Sequence, residues 1–164
     1  MKKIIIILTA LLVGISSFAQ SGKDLYNKYS DLEGVSAVYV SPAMFRMIGK
    51  IPDIEMEAGS GENVNLTPII KSMTGFYLLE ADNADVASRL HSEVKRLLDG
   101  RQYELLFEAK ENGEITRLYT TGNDNTVTSL VLISKENTEL TFICLEGQMD
   151  REELENILAE AAAK

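Results

Sequence analysis

The chain has 164 residues, with 25 acidic against 16 basic side chains, a net charge of −9, one cysteine and one histidine. A surface of that sign repels phosphate backbones and anionic lipid headgroups, which argues against nucleic acid as a partner. One cysteine cannot close an internal disulfide, and one histidine has no second histidine with which to share a transition metal.

The first residues, MKKIIIILTALLVGISSFAQ, place Lys2 and Lys3 before a mainly apolar run from Ile4 to Val13, then small residues up to Gln20. That layout is a secretory signal, with Ser17 and Ala19 at the small positions before a cut between Ala19 and Gln20. The apolar run is about half of the roughly 20 residues that a spanning helix needs, so no transmembrane span is expected after cleavage. The protein is therefore expected to be exported, either periplasmic or secreted. Residues 20–164 then form one domain, and losing two lysines with the signal takes the net charge to −11.

SGKDLYNKYSDLEG predicts a short helix, with Ser21 and Asp24 as a capping box and Gly34 as a stop. VSAVYV (35–40) follows as a strand rich in β-branched residues. SPAMFRMIG restarts a helix with Ser41 as cap and Pro42 in the first turn. Met44, Met47 and Ile48 share one side of it. Such a stripe most simply faces a core, although Met44, Phe45 and Met47 are also the candidate contacts for a ligand or partner.

The segment 51–66, IPDIEMEAGSGENVNL, collects Asp53, Glu55, Glu57 and Glu62 around Gly59 and Gly61. Counted from Asp53 as a calcium loop, the sixth position is Ala58 where glycine is needed, and the twelfth is Val64 where glutamate is needed. A mobile polar connector without a bound ion is the expectation. LTPIIKSM (66–73) predicts a further short helix capped by Thr67. TGFYLLEA (74–81) predicts a strand, and DNADVASRLHSEVKRLLDG (82–100) the longest helix, with Val86, Leu90, Val94 and Leu97 on one face. His91 falls about 80° from the centre of that stripe, at the rim of the core. Cys144 lies within the apolar strand LTFICLEG, the setting of a buried structural thiol.

The C-terminal half reads as a strand meander. Asn112-Gly113 predicts a two-residue hairpin turn. That turn pairs Phe107 with Leu118 and Ala109 with Thr116 on one face, and Glu108 with Arg117 on the other. Apolar stands against apolar and charge against opposite charge, as a sheet whose charged face is the wet one requires. In the next hairpin, TSLVLISKENTELTFICLEG, turns at Glu136-Asn137 and at Asn137-Thr138 give opposite pairings, and its continuous apolarity predicts cover on both faces. Asp150 and Glu153 then open a helix carrying Leu154, Ile157, Leu158 and Ala161 on one side. The fold class expected is α+β, a mainly antiparallel sheet of about six strands with helices packed largely on one face.

A signal ending FAQ, the VYVSPAMFRMIG step, the YELLFEAKENGE hairpin and TVTSLVLISKENTELTFICLEGQMDREEL occur here together. In these segments the chain resembles the domain-of-unknown-function family 4252, small exported proteins of Gram-negative bacteria. The resemblance implies no enzyme activity, cofactor or catalytic residue. Members are often encoded beside sigma-factor genes of envelope signalling, which implies a regulatory setting.

Three function classes remain. The leading expectation is a non-enzymatic envelope module that binds a protein or peptide, with a sheet edge open to strand addition. A carrier of a small apolar ligand is the second, resting on Met44, Phe45 and Met47. A carboxylate-based hydrolase is the third, because two carboxylates alone can make a glycosidase. No nucleophile elbow, phosphate-binding glycine loop or C-x-x-C pair is present in the sequence, so no catalytic residue, cofactor or metal ligand is expected.

Overall fold

The computed structural model describes residues 21–50, 55–57, 63–100 and 103–162. Ala19 and Gln20, at the expected cleavage point, lie outside them, as do Asp53 and Glu62. The elements run α1 (Gly22–Tyr29), β1 (Val35–Val40), α2 (Pro42–Ile48), β2 (Glu55–Glu57), β3 (Asn63–Asn65), α3 (Thr67–Ser72) and β4 (Met73–Ala81). After these come α4 (Ala84–Gly100), β5 (Glu104–Glu111), β6 (Glu114–Gly122), β7 (Thr126–Glu136), β8 (Glu139–Asp150) and α5 (Arg151–Ala162). Six strands form one antiparallel sheet in the order β1-β4-β8-β7-β6-β5. The expected α+β class is therefore the observed one.

Two asparagine turns set the meander. Asn112 and Gly113 take φ of 50° and 94°, the left-handed pair that a type I′ turn requires. Phe107 consequently faces Leu118, Glu108 faces Arg117 and Ala109 faces Thr116, the expected register. In the second hairpin Asn137 takes φ 47° and Glu136 faces Glu139, so the turn is Asn137-Thr138. Val131 then stands opposite Cys144, and Ile133 opposite Phe142.

Caps start the helices where the sequence places polar side chains. Ser21 accepts from the Asp24 N–H at 3.1 Å while Asp24 accepts from the Ser21 N–H at 2.9 Å. Ser41 caps α2, and Asp150 accepts from the Glu153 N–H at 3.0 Å to cap α5. Asn83 takes the first N–H groups of α4. The expected Thr67 cap is corrected: Thr67 already lies within α3, and its N–H donates to Asn65 Oδ1 at 2.9 Å. The N-cap position falls on Leu66, which makes no side-chain cap, and Asn65, two residues before Thr67, takes that N–H from outside the helix, so the boundary shifts by one residue.

The main core fills the layer between one sheet face and the helices α1 and α4. Val86, Leu90, Val94 and Leu97 pack down from α4 onto Leu79, Val131, Leu140 and Phe142, with Leu25 joining from α1. Leu25, Leu79, Leu90, Val94, Val131 and Phe142 are fully buried. Burying one such side chain contributes about 1.5–3 kcal/mol. Lys28 Nζ of α1 meets Glu93 Oε1 of α4 at 2.9 Å, an exposed pair that orients the helices more than it stabilises them.

Within 51–66, where a mobile polar connector is the expectation, the described residues 55–57 and 63–65 are paired strands. Glu55–Glu57 pairs with Asn63–Asn65 as an antiparallel ribbon, in the register Glu55↔Asn65, Met56↔Val64 and Glu57↔Asn63. Alternation of residues over 53–57 is the period of a strand, and that local pattern outweighed the polar composition.

Candidate interaction surface

The second face of the sheet is where the structure differs most from expectation. Following the register strand by strand, Val38 pairs with Leu78, Leu78 with Ile143 and Ile143 with Leu132. Leu132 then pairs with Leu118, and Leu118 with Phe107. One apolar residue from every strand therefore stands in a single row across the sheet, on the face opposite α1 and α4. Outer strands are about 24 Å apart at the usual spacing of about 4.8 Å. Val38 is 48% exposed and Phe107 53%, while the four between them are half-buried.

On one side of this row lie α3 and α5. Ile69, Leu154 and Ile157 pack there on Leu130, Leu145, Val127 and Met149, a second and smaller core. Helices thus occupy one whole face and one end of the other. Beside α5, Leu106, Leu154 and Leu158 line a mainly apolar notch of about 180 Å³, and Leu106 and Leu158 are exposed.

The other side of the row is polar. Ser36, Glu80, Thr141, Ser134, Thr116 and Ala109 make the next row. One step beyond the Ile115–Lys135 pair, Glu111, Glu114, Glu136 and Glu139 stand side by side, bracketing both hairpin turns. Ser134 donates to Glu114, and the single Thr116 hydroxyl proton has Ser134 Oγ at 3.2 Å and Glu114 Oε1 at 3.3 Å as its acceptors.

Charge is segregated between the faces. The three cations carried by the six strands are Lys110, Arg117 and Lys135. All three stand on the helix-bearing face: Arg117 Nε meets Glu108 Oε2 at 2.7 Å, Lys110 Nζ meets Glu108 Oε1 at 2.8 Å, and Lys135 pairs with buried Leu140. Hydrogen bonds from Lys110 and Arg117 hold the Glu108 carboxyl below its ordinary range. The open face carries Glu80, Glu104, Glu111, Glu114, Glu136 and Glu139 and no strand cation. Lys71 and Arg151 sit on α3 and α5, at its far end.

Three expectations are corrected by this arrangement. The Phe107–Leu118 face is the open one, and the Glu108–Arg117 face lies on the helix side. Turn chemistry fixes which residues share a face, whereas the β4–α4–β5 crossover decides which face a helix covers. The β7–β8 hairpin is covered on both faces only at one end: Leu130 is buried under α3 and α5, but Leu132 and Ile143 are half-exposed. The methionines of α2 do not face a core, since Met44 is 47% and Met47 66% exposed, while Phe45 is buried and anchors the helix.

The other sequence candidates are separate from this face. His91 borders a cleft of about 300 Å³ on the helix side, with Lys95, Tyr103, Arg117 and Tyr119. Burial, followed by the charges of Lys135, Arg117 and Lys95, lowers its pKa and favours the neutral ring. Cys144 is fully buried, its Sγ 3.5 Å from Ser129 Oγ. Near the β1 edge, Tyr39 and Tyr77 stack with centroids 5.3 Å apart and Tyr26 closes the group. Among the described residues no group of three or more His, Cys, Asp or Glu side chains is placed to hold a metal ion, and no helix is long and apolar enough to cross a membrane.

The apolar row is not legible in the sequence because it joins residues of six strands, and only its Phe107–Leu118 pair follows from a local turn. Its one signal was the continuous apolarity of β7 and β8, which marks two apolar faces without saying that one is left open. Comparison with known proteins gave no match to a curated protein and none to a solved structure. A family model described as a domain of unknown function (DUF4252) matches residues 29–157, which spans every strand of the sheet. On that match the chain belongs to the DUF4252 family.

Proposed function

We propose that this protein is a non-enzymatic docking module of the cell envelope, whose open sheet face is covered by another polypeptide. The observation that carries the reading is the apolar row from Val38 to Phe107, six strands wide, with both ends about half exposed. Contiguous exposed apolar area of this extent, rimmed by polar residues, marks an interaction site more often than bare surface. The β5 edge is less suited to the task. At the outer edge β5 is interrupted by a bulge between Leu105 and Phe107 and carries four charged side chains, the usual defences against strand addition. The N-terminal signal pattern supports the envelope location.

A photo-reactive amino acid placed at Leu118 tests this in living cells, with Ser88 on the outer surface of α4 as the control position. One recurrent polypeptide adduct from Leu118 and none from Ser88 is the expected result. Equal labelling from both positions, or none from Leu118, overturns the reading.

A further inference from the structure

Resting on that docking reading, we infer that the partner presents a cationic amphipathic segment, an apolar stripe bordered by lysines or arginines, laid along the row between α3/α5 and the glutamates. The shape comes from the surface itself. The uncovered apolar strip is elongated across the strands, about 24 Å long, with helices along one side and hydroxyls and carboxylates along the other. A helix of about 16 residues has that length and about the width of the strip.

The charge comes from the segregation of side chains between the two faces. Glu80, Glu104, Glu111, Glu114, Glu136 and Glu139 border the strip, whereas Lys110, Arg117 and Lys135 all stand on the opposite face. Like charges directly opposite one another in a sheet are destabilising. Glu111 faces Glu114, and Glu136 faces Glu139, so the isolated chain carries two such pairs at one border of its apolar face. Lysines or arginines arriving beside them relieve that repulsion and steer the encounter. A second copy of this chain turned about an axis across the strip brings the same acids to the same border, and an anionic lipid surface adds more negative charge; both are disfavoured by the same term.

The test uses two designed peptides of about 16 residues with one leucine stripe, bordered by lysines in the first and glutamates in the second. Affinity for the purified protein is measured at low and raised salt. The lysine-bordered peptide is expected to bind more tightly by on the order of tenfold, chiefly through a faster association rate that salt suppresses. Glu111→Lys combined with Glu136→Lys turns the glutamate row into alternating charges. That variant is expected to erase the preference while unfolding at no lower denaturant concentration than the parent.

Equal affinity for the two peptides, or no binding of the lysine-bordered one, overturns the assignment of partner chemistry. The Leu118 adduct judges the docking reading separately. A polypeptide adduct together with equal peptide affinities leaves docking standing and removes the cationic partner. An adduct between two copies of this chain, with concentration-dependent dimerisation, replaces the cationic segment by a second subunit. Absence of any adduct removes both readings.

Discussion

Leu118 of β6 stands opposite Leu132 of β7 at the middle of the apolar row, while Val131, one residue earlier in the chain, is fully buried beneath α4. The same strand therefore supplies a closed layer on one side and an open one on the other. Substitution should separate these roles. Leu90→Ala empties a fully buried site and is expected to cost about 2–5 kcal/mol. Phe107→Ser, at an edge-strand position already half exposed, is expected to cost less than about 1 kcal/mol while weakening docking. Urea unfolding of both variants checks this, and equal losses would show that the face is covered in the free protein.

The Asn112-Gly113 turn makes a second, local test. Gly113 has φ 94°, and a Cβ built there meets nothing within 4 Å. Gly113→Ala therefore isolates backbone strain from any clash. The expected cost is about 1–2 kcal/mol, the penalty for an L-residue in left-handed conformation. A neutral result would mean that the turn relaxes to another type and that the Glu108–Arg117 register is not fixed by it.

What the sequence made legible was local. The turn dipeptide at 112–113, the Ser21–Asp24 box and the Val86–Leu90–Val94–Leu97 stripe each act within a few residues, and each appears where the pattern put it. The second hairpin was ambiguous because both candidate turns contain Asn137, and only the register, with Glu136 opposite Glu139, separates them. The open face was not legible for a different reason. Alternation states that Phe107, Leu118 and Leu132 lie together, but cover depends on where α4 crosses and on α5 docking beside Ile69. Those are contacts between residues tens of positions apart. Phe45 against Met44 and Met47 is the same lesson on a smaller scale: a two-turn helix buries one side chain, and spacing alone did not select it.

Tyr77 predicts behaviour at high pH. Burial first, and then the neighbouring charge of Glu146, push its pKa up to about 12 from 10.0. The neutral phenol is thus favoured in the folded chain. Its contribution to stability is complete below pH 10, where folded and unfolded chains are both protonated, and is lost as pH rises from 10 towards about 12. Tyrosinate absorbance should show a late-titrating group that Tyr77→Phe removes, and the same substitution should flatten the fall in stability over that window. Titration of every tyrosine near its ordinary value in folded protein would contradict this packing.

Gly22 and Cys144 provide the sharpest test of how α1 seats on the sheet. A Cβ built on Gly22 lies 2.5 Å from Cys144 Sγ and 2.8 Å from Cys144 Cβ. Helix propensity alone favours alanine over glycine by up to about 1 kcal/mol. Forcing a methyl into a filled layer costs about 1–3 kcal/mol, so steric crowding is expected to win and Gly22→Ala to destabilise. Cys144→Ala removes the closer of the two contacts while leaving a small void, and is destabilising by itself. Together the two substitutions should cost less than the sum of their separate losses, with a coupling of about 0.5–3 kcal/mol. Rescue is partial because the Cβ of residue 144 remains. Strict additivity in a double-mutant cycle, followed by chemical denaturation, would place α1 farther from Cys144 than these distances do.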